Sequence, residues 1–293
     1  MYVVIGASGQ VGRQIVSQLS ARAVHVRAIV RDAASVAGLP HVQAAVGDAA
    51  DVAFLTQALQ GATALFTLTP PNFGAPSHSV AVDRFGSAVL AAIAASGVRK
   101  VVNLSSAGAA LPAGTGPIAG LYRNEQRLNT LADVDVLHLR AATFMENLLT
   151  KIGPMQQFGV FPDMADGDVP FAMVATADIA SAAVQALLQP DFTGKSVREV
   201  LGDRDYTLRE AAAILGQAIG RPDIPYVKAE PADAKATMLA HGFSQDVADK
   251  FEEMAGALTQ RRIQSTVKRT PGNSSNTSLQ AWSAVFARAY LGH

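Results

Sequence analysis

The chain has 293 residues, with Lys plus Arg equal to Asp plus Glu at 24 each, and no cysteine. Zero net charge gives no electrostatic reason for a nucleic-acid or membrane-surface partner, and the lack of cysteine excludes disulfides, thiolate metal sites and a Cys nucleophile, which suits a reducing cytoplasm. No apolar run is expected to reach the roughly 18 residues of a membrane helix, and the length suffices for one large α/β unit or a core domain with a smaller companion.

The first predicted element is a short buried strand, Tyr2-Val-Val-Ile5, entered at once and leaving no room for a signal peptide. Gly6, Gly9 and Gly12 follow, and then a helical pattern over Arg13 to Ser20. Strand, glycine turn and helix form the context of a dinucleotide site. Glycines let backbone N–H groups approach a pyrophosphate, and the helix N-terminus points its positive dipole end at that anion. The spacing is G-x-x-G-x-x-G rather than the commoner G-x-G-x-x-G.

A second strand, His25 to Val30, ends in Arg31-Asp32, about 20 residues past the glycine turn, where the adenosine ribose is read. Arg31 suits a 2′-phosphate and so NADP(H); the neighbouring Asp32 keeps NAD(H) as the alternative. A third strand, Val42 to Val46, closes in Gly47-Asp48. Asp48 either accepts from an adenine amino group or caps the helix starting near Asp51. The fourth strand, Ala62 to Leu68, opens into a Pro/Gly-rich loop, Thr69 to Gly74, that reads as the rim of a site, with Phe73 toward substrate. A helix over His78 to Ser96 ends at Gly97, and a fifth strand, Lys100 to Leu104, ends in Ser105-Ser106. Ser105 lies either beside a bound nicotinamide or caps a turn.

A helix over Ala119 to Leu131 carries Tyr122, and a sixth strand, Asp135 to Leu139, ends at Arg140. Beyond these come a short helix (Phe144 to Lys151), a strand (Asp168 to Val174), an alanine-rich helix (Asp178 to Leu188) and a strand (Val197 to Leu201). Thr207 to Ile219 opens with a Thr-x-x-Glu capping box. Helices around Asp233 to Leu239 and Ser244 to Gln260, a polar loop from Lys268 to Thr277 and a last helix from Ser278 to Tyr290 complete the chain. The expected fold is α/β: a doubly wound, mostly parallel sheet with a smaller mixed α/β C-terminal lobe. Residues 1–143 form the dinucleotide-binding domain, 176–200 return to it, and 144–175 with 201–293 form the substrate-binding lobe.

Gly6-Ala-Ser-Gly9-Gln-Val-Gly12, Ser96 to Val102 leading into Ser105-Ser106, Leu139 to Asn147, Thr207 to Gly220 and Arg269-Thr270-Pro271 occur in an order that resembles a known group. The whole chain is similar to the NmrA-like atypical short-chain dehydrogenases/reductases, which share a Rossmann fold and include NADPH-dependent quinone and azo reductases and NADP-sensing regulators. The resemblance implies that Gly6, Ser8, Gly9, Gln10, Val11 and Gly12 hold the pyrophosphate, Arg31 the 2′-phosphate, and Asp48 lies near adenine. Thr67, Leu68 and Thr69 would line the ribose and nicotinamide side, with Ser105 beside the nicotinamide. Phe144 and Asn147 would border the nicotinamide and substrate cleft. Ala141 replaces the family's usual Pro after Arg.

The catalytic pattern departs further. Short-chain dehydrogenases use Tyr-x-x-x-Lys, the Lys lowering the Tyr pKa for proton transfer. Here Gln126 stands four residues after Tyr122, and Leu121 stands four before Glu125, where NmrA-like reductases often place His or Lys. Tyr122 and Ser105 remain the candidate catalytic residues, and Tyr122 is also a candidate substrate contact. Reducing a ketone leaves a strongly basic alkoxide, whereas reducing a quinone leaves a phenolate-like oxygen with a pKa near 10. A quinone-like electron acceptor is therefore expected. The alternative is a non-catalytic NADP(H) sensor with a protein partner; the missing Tyr-x-x-x-Lys argues against a sugar-nucleotide epimerase. A homodimer is a further expectation. His25, His41, His78, His138, His241 and His293 are scattered, so no metal site is expected. No G-x-S-x-G elbow suggests a hydrolase.

Overall fold

The computed structural model describes residues 1–292; His293 lies outside them. β1 (Tyr2–Ile5) buries Val3, Val4 and Ile5. A continuous apolar run of this kind marks a strand covered on both faces, as in a parallel sheet between helical layers. Next come α1 (Gly12–Ala21), β2 (Val26–Val30), a 3-10 turn (Ala33–Val36), β3 (Val42–Val46), α2 (Val52–Leu59) and β4 (Ala64–Leu68). They are followed by α3 (His78–Ser96), β5 (Lys100–Ser106), α4 (Ile118–Asn129), β6 (Asp135–Ala141), β7 (Thr143–Phe144) and a 3-10 segment (Met145–Lys151). α5 (Ile152–Phe158), β8 (Phe161–Asp163), β9 (Phe171–Val174), α6 (Thr176–Leu188) and β10 (Lys195–Val200) precede the C-terminal elements.

The main sheet has seven strands in the order β10-β6-β5-β4-β1-β2-β3, and every pairing is parallel. The strand order reverses between β1 and β4, and ligands of such sheets bind outside the carboxyl ends at that crevice. α1 and α6 pack together on one face, over Val4, Phe66 and Val102. α2 and α3 cover Val3, Leu65 and Val101 on the other, with α4 beside α3. α3 bears on the expected absence of a membrane-length apolar run, which Asp83 and Arg84 interrupt here. It has 19 residues, and an 18-residue stretch of it has a mean hydropathy of 1.3, so by length and composition alone it qualifies. It lies on the sheet instead, burying Val82, Phe85, Val89 and Ile93 along one stripe. Its Asp83 meets Arg123 and Arg127 of α4 at 2.9 and 2.6 Å.

His138 of β6 is buried between two amides. Its Nδ1 lies 3.0 Å from Asn103 Nδ2, and its Nε2 lies 3.0 Å from Asn129 Oδ1. Asn103 donates to Nδ1, which leaves the proton on Nε2 and the ring neutral. Burial pushes its pKa down to about 4. The histidine thus ties β5, β6 and α4 together as structural cement.

β11 (Asp205–Tyr206), α7 (Leu208–Ala218), β12 (Tyr226–Lys228), α8 (Pro231–Ala240), α9 (Gln245–Thr259) and α10 (Leu279–Leu291) complete the chain. β11, β9 and β7 form one small sheet, and β12 with β8 another. A second core gathers Met145, Met155, Phe161, Tyr206, Leu215, Trp282 and Phe286. The Thr207–Glu210 capping box at α7 is present in both directions.

Several boundaries differ from expectation. β4 begins at Ala64, because Gly61 sits in a turn at φ +69°. β9 begins at Phe171; Asp168 is held outside it by Arg209 at 2.8 Å. The helix expected over Phe144 to Lys151 is a 3-10 segment from Met145, with Phe144 paired to Val174 in the small sheet. α5, β8 and β12 carry no sequence signal strong enough to predict. The two strands have three residues each and exist through pairing with one another.

Candidate functional site

The glycine turn sits at the reversal of strand order. Gly6 takes φ +73°, a conformation that side chains disfavour, and its O accepts from Gly9 N at 2.9 Å. A Cβ on Gly12 would lie 2.1 Å from Gly6 O, so the start of α1 can approach the turn only with glycine there. Val11 is buried in the core, while Ser8, Gly9 and Gln10 are exposed. The first turn of α1 has no side-chain cap. α2, α3, α7, α9 and α10 are capped by Asp51, Ser77, Thr207, Ser244 and Ser278, whereas α4, α5, α6 and α8, like α1, have no side-chain cap. Among the described residues, the N–H groups of Gln10, Val11 and Gly12 donate to no partner in the chain. Uncapped donors at the positive end of a helix dipole form an anion site. The Leu68 side chain closes its far side, 3.1 Å from where a Cβ of Gly6 would stand.

At the end of β2 the two candidate ribose readers separate. Asp32 Oδ1 accepts from Ala34 N at 2.9 Å and caps the 3-10 turn. Arg31 is exposed and, among the described residues, forms no ion pair or side-chain hydrogen bond. Beyond β3, Asp48 Oδ1 accepts from Ala50 N at 2.9 Å, and the cap of α2 falls to Asp51 instead.

Alternation along β4 splits the next three candidates. Leu68 lies on the α1 side with Phe66, while Thr67 lies on the α3 side with Leu65. Thr67, Leu68 and Thr69 all border a small recess with Asn103, Asn124 and Phe85. Thr69 Oγ1 accepts from Asn124 Nδ2 at 2.7 Å.

Ser105 is buried, and its hydroxyl donates to Glu125 Oε1 at 2.6 Å. Arg140 binds the same carboxylate through Nε and Nη2, at 3.0 and 2.6 Å. That pairing raises the Arg140 pKa. The Ser105 proton is therefore committed to a fixed carboxylate, and Oγ faces any ligand as an acceptor only. Ser105, Arg140 and Glu199 are register neighbours across β5, β6 and β10. Glu199 accepts from Thr266 N at 2.9 Å and from the Ser265 hydroxyl, tethering the loop before α10 to the strand ends.

On α4, Tyr122 is half-buried, and among the described residues its hydroxyl makes no hydrogen bond. Leu121 packs into an apolar nest of Ala107, Ala109, Ile118, Met254 and Ile263. The position where a proton donor would stand is thus greasy and filled. Phe144 is half-buried against the main core, and Asn147 is exposed on the 3-10 segment.

The last group roofs the strand ends. Ser244 N donates to Phe73 O at 2.9 Å, and His78 N donates to Asp246 at 2.7 Å. A Cβ on Gly116 would lie 2.1 Å from Lys250 O, so the loop ahead of α4 lies directly under α9. Phe243, Met254 and Ile263 therefore join the site from the far end of the chain. Nothing local in the sequence marks them, because each is an ordinary apolar residue of a helix or turn.

Comparison with known proteins agrees with this geometry. The family described as NAD(P)H-binding matches residues 6–190. The chain is 31% identical over 297 residues to a (4-alkanoyl-5-oxo-2,5-dihydrofuran-3-yl)methyl phosphate reductase of Streptomyces griseus, covering 99% of each. It is 29% identical over 256 residues to an NAD(P)H azoreductase of Xenophilus azovorans, covering 87% of this chain and 86% of the other. Among solved structures, an NADPH-dependent quinone oxidoreductase from Escherichia coli, complexed with NADPH, superposes with a TM-score of 0.81 at 24% identity, covering 97% and 99% of the two chains.

Proposed function

Since the chain belongs to the NAD(P)H-binding family, we propose that it is an NADPH-dependent reductase delivering hydride to a quinone-like, conjugated electrophile. The uncapped start of α1 and the side-chain-free approach at Gly12 fit a pyrophosphate. Arg31 takes the 2′-phosphate and Asp48 lies near adenine. Leu68, Thr69 and Phe144 flank the ribose and nicotinamide, and Asn147 lies toward the acceptor. Ser105 Oγ, with its own proton on Glu125, accepts from the carboxamide N–H. Bound NADPH supplies the hydride; the protein orients it and keeps water from the apolar nest around Leu121.

One observation carries the choice of acceptor. The slot for a proton donor holds Leu121 among apolar neighbours, and the nearby Ser105 proton is bonded away. An acceptor whose reduced form is only weakly basic, such as a quinone, needs no positioned acid. NADPH oxidation is therefore expected with 1,4-benzoquinone and 1,4-naphthoquinone, and at least about 100-fold less kcat/KM with simple ketones. Comparable rates on ketones would overturn this reading. NADPH binding with no turnover across conjugated acceptors would favour the sensor reading, which the same missing donor supports.

Arg31→Ala tests the cofactor choice. With Asp32 engaged at the 3-10 turn, loss of Arg31 removes the 2′-phosphate partner and leaves the rest of the adenosine site. KM for NADPH is expected to rise about tenfold, with KM for NADH within about twofold. Equal effects on both cofactors would contradict 2′-phosphate recognition at this residue.

A further inference from the structure

Phe73 occupies an unusual position for an aromatic on a loop. It lies five residues past the end of β4, beside the reversal of strand order, and is 43% exposed. Its ring stacks on Phe243, from the turn between α8 and α9, with centroids 4.5 Å apart and planes 14° apart. Phe251 of α9 lies 6.1 Å from Phe73 and meets Phe243 edge-on at 5.9 Å. The Phe73 backbone is pinned by Ser244 N on its carbonyl. The ring is thus held by one stacked and one tilted neighbour and a fixed main chain, while much of its surface stays open to solvent.

Leaving an aromatic surface open to water forfeits the stabilisation that its burial would bring. Aromatic faces are favoured platforms for other rings, and a platform that is already rigid loses little entropy when a ligand settles on it. We propose that Phe73 is the seat of a planar, ring-shaped acceptor, and that Phe243 and Phe251 are positioning residues that hold its ring in place. Phe73 makes the contact; Phe243 and Phe251 act through it. This rests on the reductase reading and deepens it, because it explains selection by acceptor shape rather than by hydrogen bonding. The α8–α9 turn, contributed from the other end of the chain, then sets which acceptors the site prefers.

The test is the set Phe243→Ala, Phe243→Leu, Phe243→Tyr and Phe73→Ala, assayed with 1,4-naphthoquinone. Phe243→Ala and Phe243→Leu are expected to raise KM for the quinone about tenfold, with KM for NADPH within about twofold. Phe243→Tyr restores the wild-type value. Phe73→Ala combined with Phe243→Ala is no worse than Phe73→Ala alone, since one residue acts through the other. The dissociation constant of naphthoquinone from the NADP⁺ complex, by calorimetric titration, follows the same order and needs no turnover. Phe243→Leu keeps apolar volume at the turn, so it remains informative if the alanine variant unfolds. An unchanged quinone affinity in a folded Phe243→Leu variant overturns the inference and leaves the reductase reading intact. Quinone binding that depends on Phe243 without NADPH oxidation in the wild type keeps the seat and removes the reductase reading.

Discussion

Arg140→Ala is expected to cost about 3–5 kcal/mol of folding stability, measured by urea unfolding at neutral pH. Glu125 is 1% exposed in its side chain, and Arg140 supplies both of its charge-assisted hydrogen bonds, at 3.0 and 2.6 Å. Removing the guanidinium leaves a carboxylate in the interior with only the Ser105 hydroxyl. A buried charge without its partner is far more costly than the pair was favourable. The double variant Glu125→Leu, Arg140→Leu removes both charges and is expected to lose less than Arg140→Ala alone. If Arg140→Ala loses under about 1 kcal/mol, water reaches Glu125 and the interior is wetter than its burial implies. In that case the claim that Ser105 has no free proton weakens as well.

Gly12→Ala is expected to lower NADPH affinity at least about 100-fold, equivalent to about 3 kcal/mol. The added Cβ would stand 2.1 Å from Gly6 O and 2.7 Å from Gly6 C, both of them backbone atoms. Neither can swing aside as a flexible side chain does, so the turn must open and the N–H groups of Gln10 to Gly12 must leave their shared concavity. Gly9→Ala meets Gly6 O at 3.3 Å and is expected to be milder. Nucleotide fluorescence titration reads the affinity, and far-UV circular dichroism checks that the sheet persists. Retention of affinity in a folded Gly12→Ala protein would show that the pyrophosphate lies elsewhere.

The alternation of elements was largely legible because it is written locally. β1 and β3 match the predicted spans, and α1, α3 and α7 announce themselves by a glycine turn, an apolar stripe and a capping box. In sequence Asp48 serves equally as a cap or an adenine ligand, and Asp32 keeps open a ribose contact beside Arg31. Only coordinates show Asp32 turned to Ala34 N and Asp48 to Ala50 N. Thr67 and Leu68 are adjacent in sequence and both border the recess at the end of β4, but the Leu68 side chain packs with Phe66 against the α1 side, because a strand sends neighbouring side chains to opposite faces.

The amino-acid sequence by itself laid out the proposed nucleotide end of this protein: a strand, a three-glycine turn, a helix behind it and an arginine at the next strand end. Those features act within a few residues of one another, so their spacing along the chain is their geometry. The proposed acceptor end was decided by tertiary structure alone. Asp246 reaches His78 across 168 positions, Phe243 comes to rest on Phe73, and Leu121 packs against the cluster that holds Ile263. Contacts of that range depend on how the two cores dock, and hydrophobic packing is non-directional, so no local pattern specifies which apolar residues will meet.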